Sequence, residues 1–166
     1  MANYKGHIAG GAGFCFVYVG LLAVLPWSVL TSTAGILSNW QFVAGLFVVG
    51  ILFGLWPDID TNSKAQDIFF GVAFVADIAL VATGRIEAAA YLGLLAMTPI
   101  VGKHRGWTHS FWAMILVPLP ILLVPYLNNQ YILPTSFLLY GAAVTGYFSH
   151  LFFDGLVTKK IRSYRR

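Results

Sequence analysis

The fold class predicted is an all-α polytopic membrane protein, and three observations predict it. Of 166 residues, 58% are hydrophobic and only 10% are charged, and the mean hydropathy is +0.77. A soluble domain carries about 25% charged residues, so composition excludes a water-soluble globule. A bilayer-spanning helix consumes about 20 mostly apolar residues. The chain therefore has room for about six spans forming a single domain, 1–166, with no separate soluble catalytic domain. Any chemistry has to be assembled from span ends, short loops and the few polar residues inside the spans.

Apolar segments fall at 8–30, 41–56, 68–84, 86–102, 107–127 and 133–157. The first follows Lys5 but exceeds the roughly 7–15 apolar residues of a signal peptide, so it reads as a retained helix. Cys15 within it has no second cysteine to pair with and reads as a small packed side chain. A polar break at 31–40 leads to the second segment, which Pro57 ends. The stretch 57–67 is polar. A single helix over 68–102 would be about 50 Å long against an apolar core of about 30 Å, so Gly84, Arg85 and Glu87 mark a hairpin between two helices. The 103–106 loop precedes the fifth span, and Asn128-Asn129-Gln130 separates it from the sixth. No internal repeat is visible.

Six crossings put both termini on one side, together with the 57–67 and 103–106 loops. Lys5, Lys64, Lys103, Arg105, Lys159, Lys160, Arg162, Arg165 and Arg166 fall on that side, leaving only Arg85 opposite. Basic residues accumulate on the cytoplasmic side of membrane proteins, so that face is expected to be cytoplasmic. Topology thereby accounts for the net charge of +4, and no nucleic-acid partner is expected. The same face receives His7, Asp58, Asp60, His104, His109, His150 and Asp154.

Each of these residues has a chemical and a plainer reading. His150 and Asp154 stand four apart in Ser149-His150-Leu151-Phe152-Phe153-Asp154-Gly155. On a helix they point the same way one turn apart, so they can share a cation, or the carboxylate can orient the imidazole. A pair that merely closes the helix end has the same spacing. His104 and His109 are five apart in Lys103-His104-Arg105-Gly106-Trp107-Thr108-His109-Ser110, which a regular helix would splay by roughly 140°. Gly106 permits an irregular turn through which both can converge. Thr108 or Ser110 can cap the helix or bond a histidine. An interfacial basic loop beside Trp107 explains Arg105 but neither histidine. Asp58 and Asp60 in Trp56-Pro57-Asp58-Ile59-Asp60 can bridge cations or supply one ligand each, although such residues also favour plain capping turns. Ser63 can cap the helix containing Asp67. Only the crossing count brings His7 near the others. Asp77, in the middle of the third segment, is read as a hydrogen-bonding group rather than a ligand.

Together, His7, Pro57-Asp58-Ile59-Asp60 with Ser63, His104-Arg105-Gly106-Trp107-Thr108-His109-Ser110, and Gly146-Tyr147-Phe148-Ser149-His150 with Asp154 resemble the YdjM-type family of inner-membrane-associated metal-dependent hydrolases, also described as LexA-binding. The order and spacing match over almost the whole chain. The resemblance implies a multi-span inner-membrane protein whose motif residues are metal ligands. A more distant analogy is to the zinc-dependent phospholipase C and nuclease group, which holds metals with a His-x3-Asp helix among other ligands. Two departures stand out. Thr61 follows PDID where many members have histidine, and Gly155-Leu156-Val157-Thr158 runs into a short basic tail where members commonly continue with a Thr-x-x-Gly segment and a proline-containing stretch.

The expected function is a membrane-bound metal-dependent hydrolase with a polynuclear His/Asp site at the cytoplasmic membrane face, cleaving a phosphoester in a lipid or lipid-linked substrate. Seven candidate ligands exceed the about four to six of one cation, so two or more ions are expected. Mixed imidazole and carboxylate donors favour Zn²⁺, Mn²⁺ or Fe²⁺ over Ca²⁺. Arg105 and Asp60 are the candidate catalytic residues, with Arg105, aided by Lys103, neutralising phosphate charge. The expected partners are membrane lipids, with the basic tail at 159–166 available to an acidic lipid or a cytoplasmic protein. The alternative is a non-enzymatic scaffold or regulator, or a cation conduit. A conduit should place ionisable groups at successive depths, whereas here they stop at one face apart from Asp77.

Overall fold

Runs of Leu, Val, Phe, Ala and Gly, broken by Pro, Asn and Gly-Arg, fold into helices and nothing else among the described residues. The computed structural model describes residues 4–24, 33–59, 64–97 and 107–155. The elements are α1 (Tyr4–Val24), α2 (Thr33–Leu37), α3 (Trp40–Leu55), α4 (Lys64–Ala82), α5 (Ile86–Met97), α6 (Phe111–Leu116), α7 (Pro120–Asn129) and α8 (Pro134–Phe153), with 3-10 turns at Trp56–Asp58 and Trp107–His109.

Among the described residues, each of the six apolar segments contains helix, with three differences from the sequence reading. The first helix begins at Tyr4, so His7 lies inside α1 rather than ahead of it. A short helix, α2, occupies part of the 31–40 break. The fifth segment is interrupted at 117–119, because Pro118 and Pro120 lack the N–H that continues a helix and disfavour helical backbone in the residue before them. Bonds from Leu119 N to Leu116 O (3.2 Å) and from Ile121 N to Pro118 O (3.0 Å) carry the chain through this break in a tight turn.

Among the described residues, three helical stretches are long and apolar enough to cross a membrane: Tyr4–Val24, Trp40–Asp58 and Phe111–Asn128. α8 has 20 residues, a length of about 30 Å, but it carries Tyr140, Tyr147, Ser149 and His150. Much of it is buried by other helices, so its side chains need to match the bundle interior rather than lipid. α5 is shorter, with 12 residues.

The core is the three-way contact of α1, α3 and α8, and it depends on backbone meeting backbone. A Cβ on Gly146 would overlap the Gly50 carbonyl and stand 2.8 Å from the Gly50 Cα, and one on Gly54 would lie 3.3 Å from the Gly146 carbonyl. Small residues of this kind let apolar helices approach closely and gain van der Waals contact. Toward the loop that α2 borders, Cys15, Leu46, Leu138 and Ala142 form one buried cluster, with the Cys15 thiol donating to the Leu46 carbonyl at 3.3 Å. Toward the other end, Phe53, Trp56, Ile59, Tyr147 and Leu151 form a second.

The predicted hairpin joins α4 to α5. Gly84 adopts φ +74, a left-handed conformation that costs glycine little. Arg85 N bonds Leu80 O at 2.8 Å and Gly84 N bonds Val81 O at 3.0 Å, the paired bonds of a Schellman helix end.

Candidate metal centre

Five polar side chains meet at one end of the three-helix core. Leu55 ends α3, and Pro57 sits at the start of the following 3-10 turn, which carries Asp58. α8 brings His150, and its C-cap residue is Asp154, whose backbone N–H bonds His150 O at 3.0 Å. A second 3-10 turn delivers His109 immediately before Ser110, whose hydroxyl caps α6 by accepting from Ala113 N at 3.1 Å. His7 comes from the first turns of α1 and stacks on His150, with ring centroids 4.0 Å apart and planes 19° apart.

The imidazole Nε2 atoms face the two carboxylates. His109 Nε2 is 3.5 Å from Asp58 Oδ1 and 3.7 Å from Asp154 Oδ2. The corresponding distances for His150 Nε2 are 3.7 and 3.5 Å. His7 Nε2 lies 3.8 Å from Asp58 Oδ2 and 3.6 Å from Asp154 Oδ1. Two donors each about 2.1 Å from one ion, at tetrahedral or trigonal angles, are about 3.4 to 3.6 Å apart. The donor spacing therefore fits a divalent cation. Ligand atoms of Asp58, His109, His150 and Asp154 all lie within 4.8 Å of one another.

Burial sharpens this reading. His7 and His150 are 1% and 0% exposed. His109 Nε2, His150 Nε2 and Asp154 Oδ1 are buried with no hydrogen-bond partner, and an unsatisfied polar atom of this kind costs about 1–3 kcal/mol. A cation among them would satisfy all three. Burial alone would push the Asp154 carboxyl up, but contact with His150 and the neighbouring His7 and His109 outweigh it and hold the group below its ordinary value. Its carboxylate form is the one that can donate to a cation.

Two hydrogen bonds orient the histidines. His150 Nδ1 lies 2.9 Å from the Gly54 carbonyl. A carbonyl only accepts, so Nδ1 carries the proton and Nε2 turns its lone pair inward, the tautomer that ligates metal. The acceptor is one of the last carbonyls of α3, which no helical N–H beyond the helix end need occupy. His109 Nδ1 is 3.1 Å from the Thr108 hydroxyl. Thr108 is buried, and its own carbonyl accepts from the Tyr147 hydroxyl. Trp56 packs against Trp107 and Tyr147, with ring centroids 5.7 and 5.8 Å away.

Of the candidate residues, His7, Asp58, His109, His150 and Asp154 converge. Asp60, His104 and Arg105, with Thr61, Ser63 and Lys103, lie outside the described residues. Asp77 sits elsewhere, between α4 and α5, and its Oδ1 makes no hydrogen bond. Thr108 and Ser110 divide the two roles foreseen for them: Thr108 contacts a histidine and Ser110 caps the helix. The sequence reading missed the Gly54 carbonyl, Trp56 and Tyr147. Tyr147 had a signal, since it stands three before His150 and therefore shares a helix face with it.

No curated protein and no solved structure matches this chain. A family model described as YdjM inner membrane protein matches residues 1–164. With helices apolar enough to span a bilayer and His7, Asp58, His109, His150 and Asp154 gathered at one point, the chain belongs to the YdjM inner membrane protein family.

Proposed function

We propose that this protein is a membrane-bound metal-dependent hydrolase, with its site at the cytoplasmic end of a six-span bundle. The observation that carries the proposal is the convergence of donors from four separate chain segments, with Nε2 atoms and carboxylates 3.5 to 3.8 Å apart. His7, Asp58, His109, His150 and Asp154 would hold the ion. Zn²⁺ suits this donor set best, with Mn²⁺ or Fe²⁺ next. When bound, such an ion supplies Lewis acidity and makes water nucleophilic at neutral pH.

Asp58, His109, His150 and Asp154 form one cluster, sized for one ion, with His7 against the other oxygens of the two carboxylates. A second ion would draw on Asp60 and His104 from the adjoining segments. Asp58 is the most open of the five, with its side chain 30% exposed against 5% for Asp154, so substrate approaches from its side. Arg105 and Lys103, close in sequence to His109, suit a phosphate group there. Position at the ends of apolar helices favours a phosphoester in a lipid or lipid-linked molecule. The cytoplasmic assignment rests on the basic residues gathered on one side, and α4, α5 and α8 supply the remaining crossings.

Metal analysis of the purified protein tests this reading. About one ion or more per chain is expected in the wild type, falling well below stoichiometry in His150→Ala and Asp58→Ala. Loading should also fall on acidification, because each donor must give up its proton to bind. Absence of stoichiometric metal would favour a scaffold or conduit instead. A screen of lipid and phosphodiester substrates with the metal-loaded protein then tests the reaction.

A further inference from the structure

Asp77 takes no part in the metal centre, and its surroundings ask for a ligand of their own. It lies thirteen residues beyond Lys64, the first residue of α4, and so about 20 Å along a helix whose early residue Phe69 packs in the cluster of Trp56 and Ile59. The carboxyl is therefore displaced from the metal donors toward the Gly84–Arg85 turn. Its Oδ1 is buried without a hydrogen-bond partner. With α4 crossing the membrane, as the proposed function has it, no water is at hand to relieve such an atom.

The carboxyl lines a cavity of about 540 Å³ between α4 and α5, walled by Phe70, Phe74, Leu92 and Met97. A second cavity of about 380 Å³ shares Phe74 and Asp77 and continues along α4 to Ala82. Gly93 keeps the first one open: a Cβ there would still stand 3.9 Å from Asp77 Oδ2. Among the described residues, no basic side chain lines either cavity. A volume of this size, apolar and with one polar group to fix orientation, is that of a small-molecule site. Exposure of Phe74 (67%) and Met97 (62%) leaves it open on the outer side of the bundle.

We infer that this cavity binds a small lipophilic amine, an apolar body bearing one protonated N–H donor, which enters from the membrane and pairs with Asp77. A neutral acyl chain would fill the volume but leave the carboxyl without a partner. A quaternary cation would bring charge but no hydrogen to donate. A second copy of the chain related by a two-fold axis would bring another Asp77 against the first, a like charge rather than a counter-ion.

Monodansylcadaverine, a primary amine on an apolar fluorophore, can be titrated against the full chain in detergent micelles, with empty micelles as blank. Saturable fluorescence enhancement is expected with the wild type. Binding should be at least about tenfold weaker in Asp77→Asn, the loss expected for a charge-assisted hydrogen bond, and likewise weakened in Gly93→Leu, whose side chain would crowd the space beside the carboxyl. The N-acetylated probe, lacking the charge, should bind wild type and Asp77→Asn equally weakly. Circular dichroism and elution volume check that each variant is folded. Should Asp77→Asn not fold, the amine and acetylated probes on the wild type, with Gly93→Leu, decide alone. Equal binding of the two probes to the wild type, undiminished binding by folded Asp77→Asn, or no saturable binding would overturn the inference. A changed oligomeric state in Asp77→Asn with unchanged probe binding would overturn it in favour of a partner helix.

Discussion

His150 is fixed from several directions: its Nδ1 by the Gly54 carbonyl, its ring by stacking on His7, and its backbone by α8. His109 depends on a longer chain of contacts, from Tyr147 to the Thr108 carbonyl and from the Thr108 hydroxyl to the ring. Tyr147→Phe keeps the ring that packs on Trp56 but removes the hydroxyl, leaving a buried carbonyl short of a donor at a cost of about 1–3 kcal/mol. Metal affinity in this variant is expected to fall about tenfold with the ligands intact, which competition with a chromophoric chelator would measure. At this scale the sequence pointed to the candidate donors and to Thr108 beside His109, but was silent about the group that orients His150. Imidazoles and carboxylates advertise their chemistry in the residue code, whereas a backbone carbonyl such as that of Gly54 has no code at all.

Among the elements, the approach of α3 to α8 governs how the donors meet. Gly50 and Gly146 touch through backbone atoms, and His150 stands one turn beyond Gly146 on the same helix. Gly146→Val should push the helices apart, destabilise the protein by at least about 2 kcal/mol, and lower metal occupancy together with the thermal midpoint. Tyr140→Phe, which loses only a partly exposed bond to the Ile115 carbonyl, is expected to change neither by much. The helices themselves were legible because apolar runs and their breakers are local properties. The hairpin at Gly84 and Arg85 was legible from the polar and glycine residues that mark it together with length, since one helix there would overshoot the bilayer. The interruption at 117–119 was not anticipated, although Pro118 and Pro120 announce it, because hydropathy counts proline's composition and ignores its missing N–H. α8 escapes a hydropathy criterion for the opposite reason, since its polar residues answer to neighbouring helices.

For the molecule as a whole, the proposed six-crossing path would put nine of ten basic residues on one side, which makes its orientation testable. In a Cys15→Ser background, a cysteine placed at Arg85 should react with a membrane-impermeant maleimide added to intact cells, and one placed at Lys160 should react only after lysis. The reverse pattern would put the donors on the outer face. In the sequence only a count of crossings sets His7 beside the other candidates, because alternation between faces is a global constraint that a lone histidine does not reveal. The donors also span nearly the entire chain, from the opening turns of α1 to the residue capping α8. An ion held by both would act as a reversible cross-link closing a loop of almost the full polypeptide, the kind of tie whose effect on an unfolded chain grows with the length enclosed. A chelator would then work as a mild denaturant, slackening one mouth of the bundle while the packing around Cys15 and Leu46 stays shut.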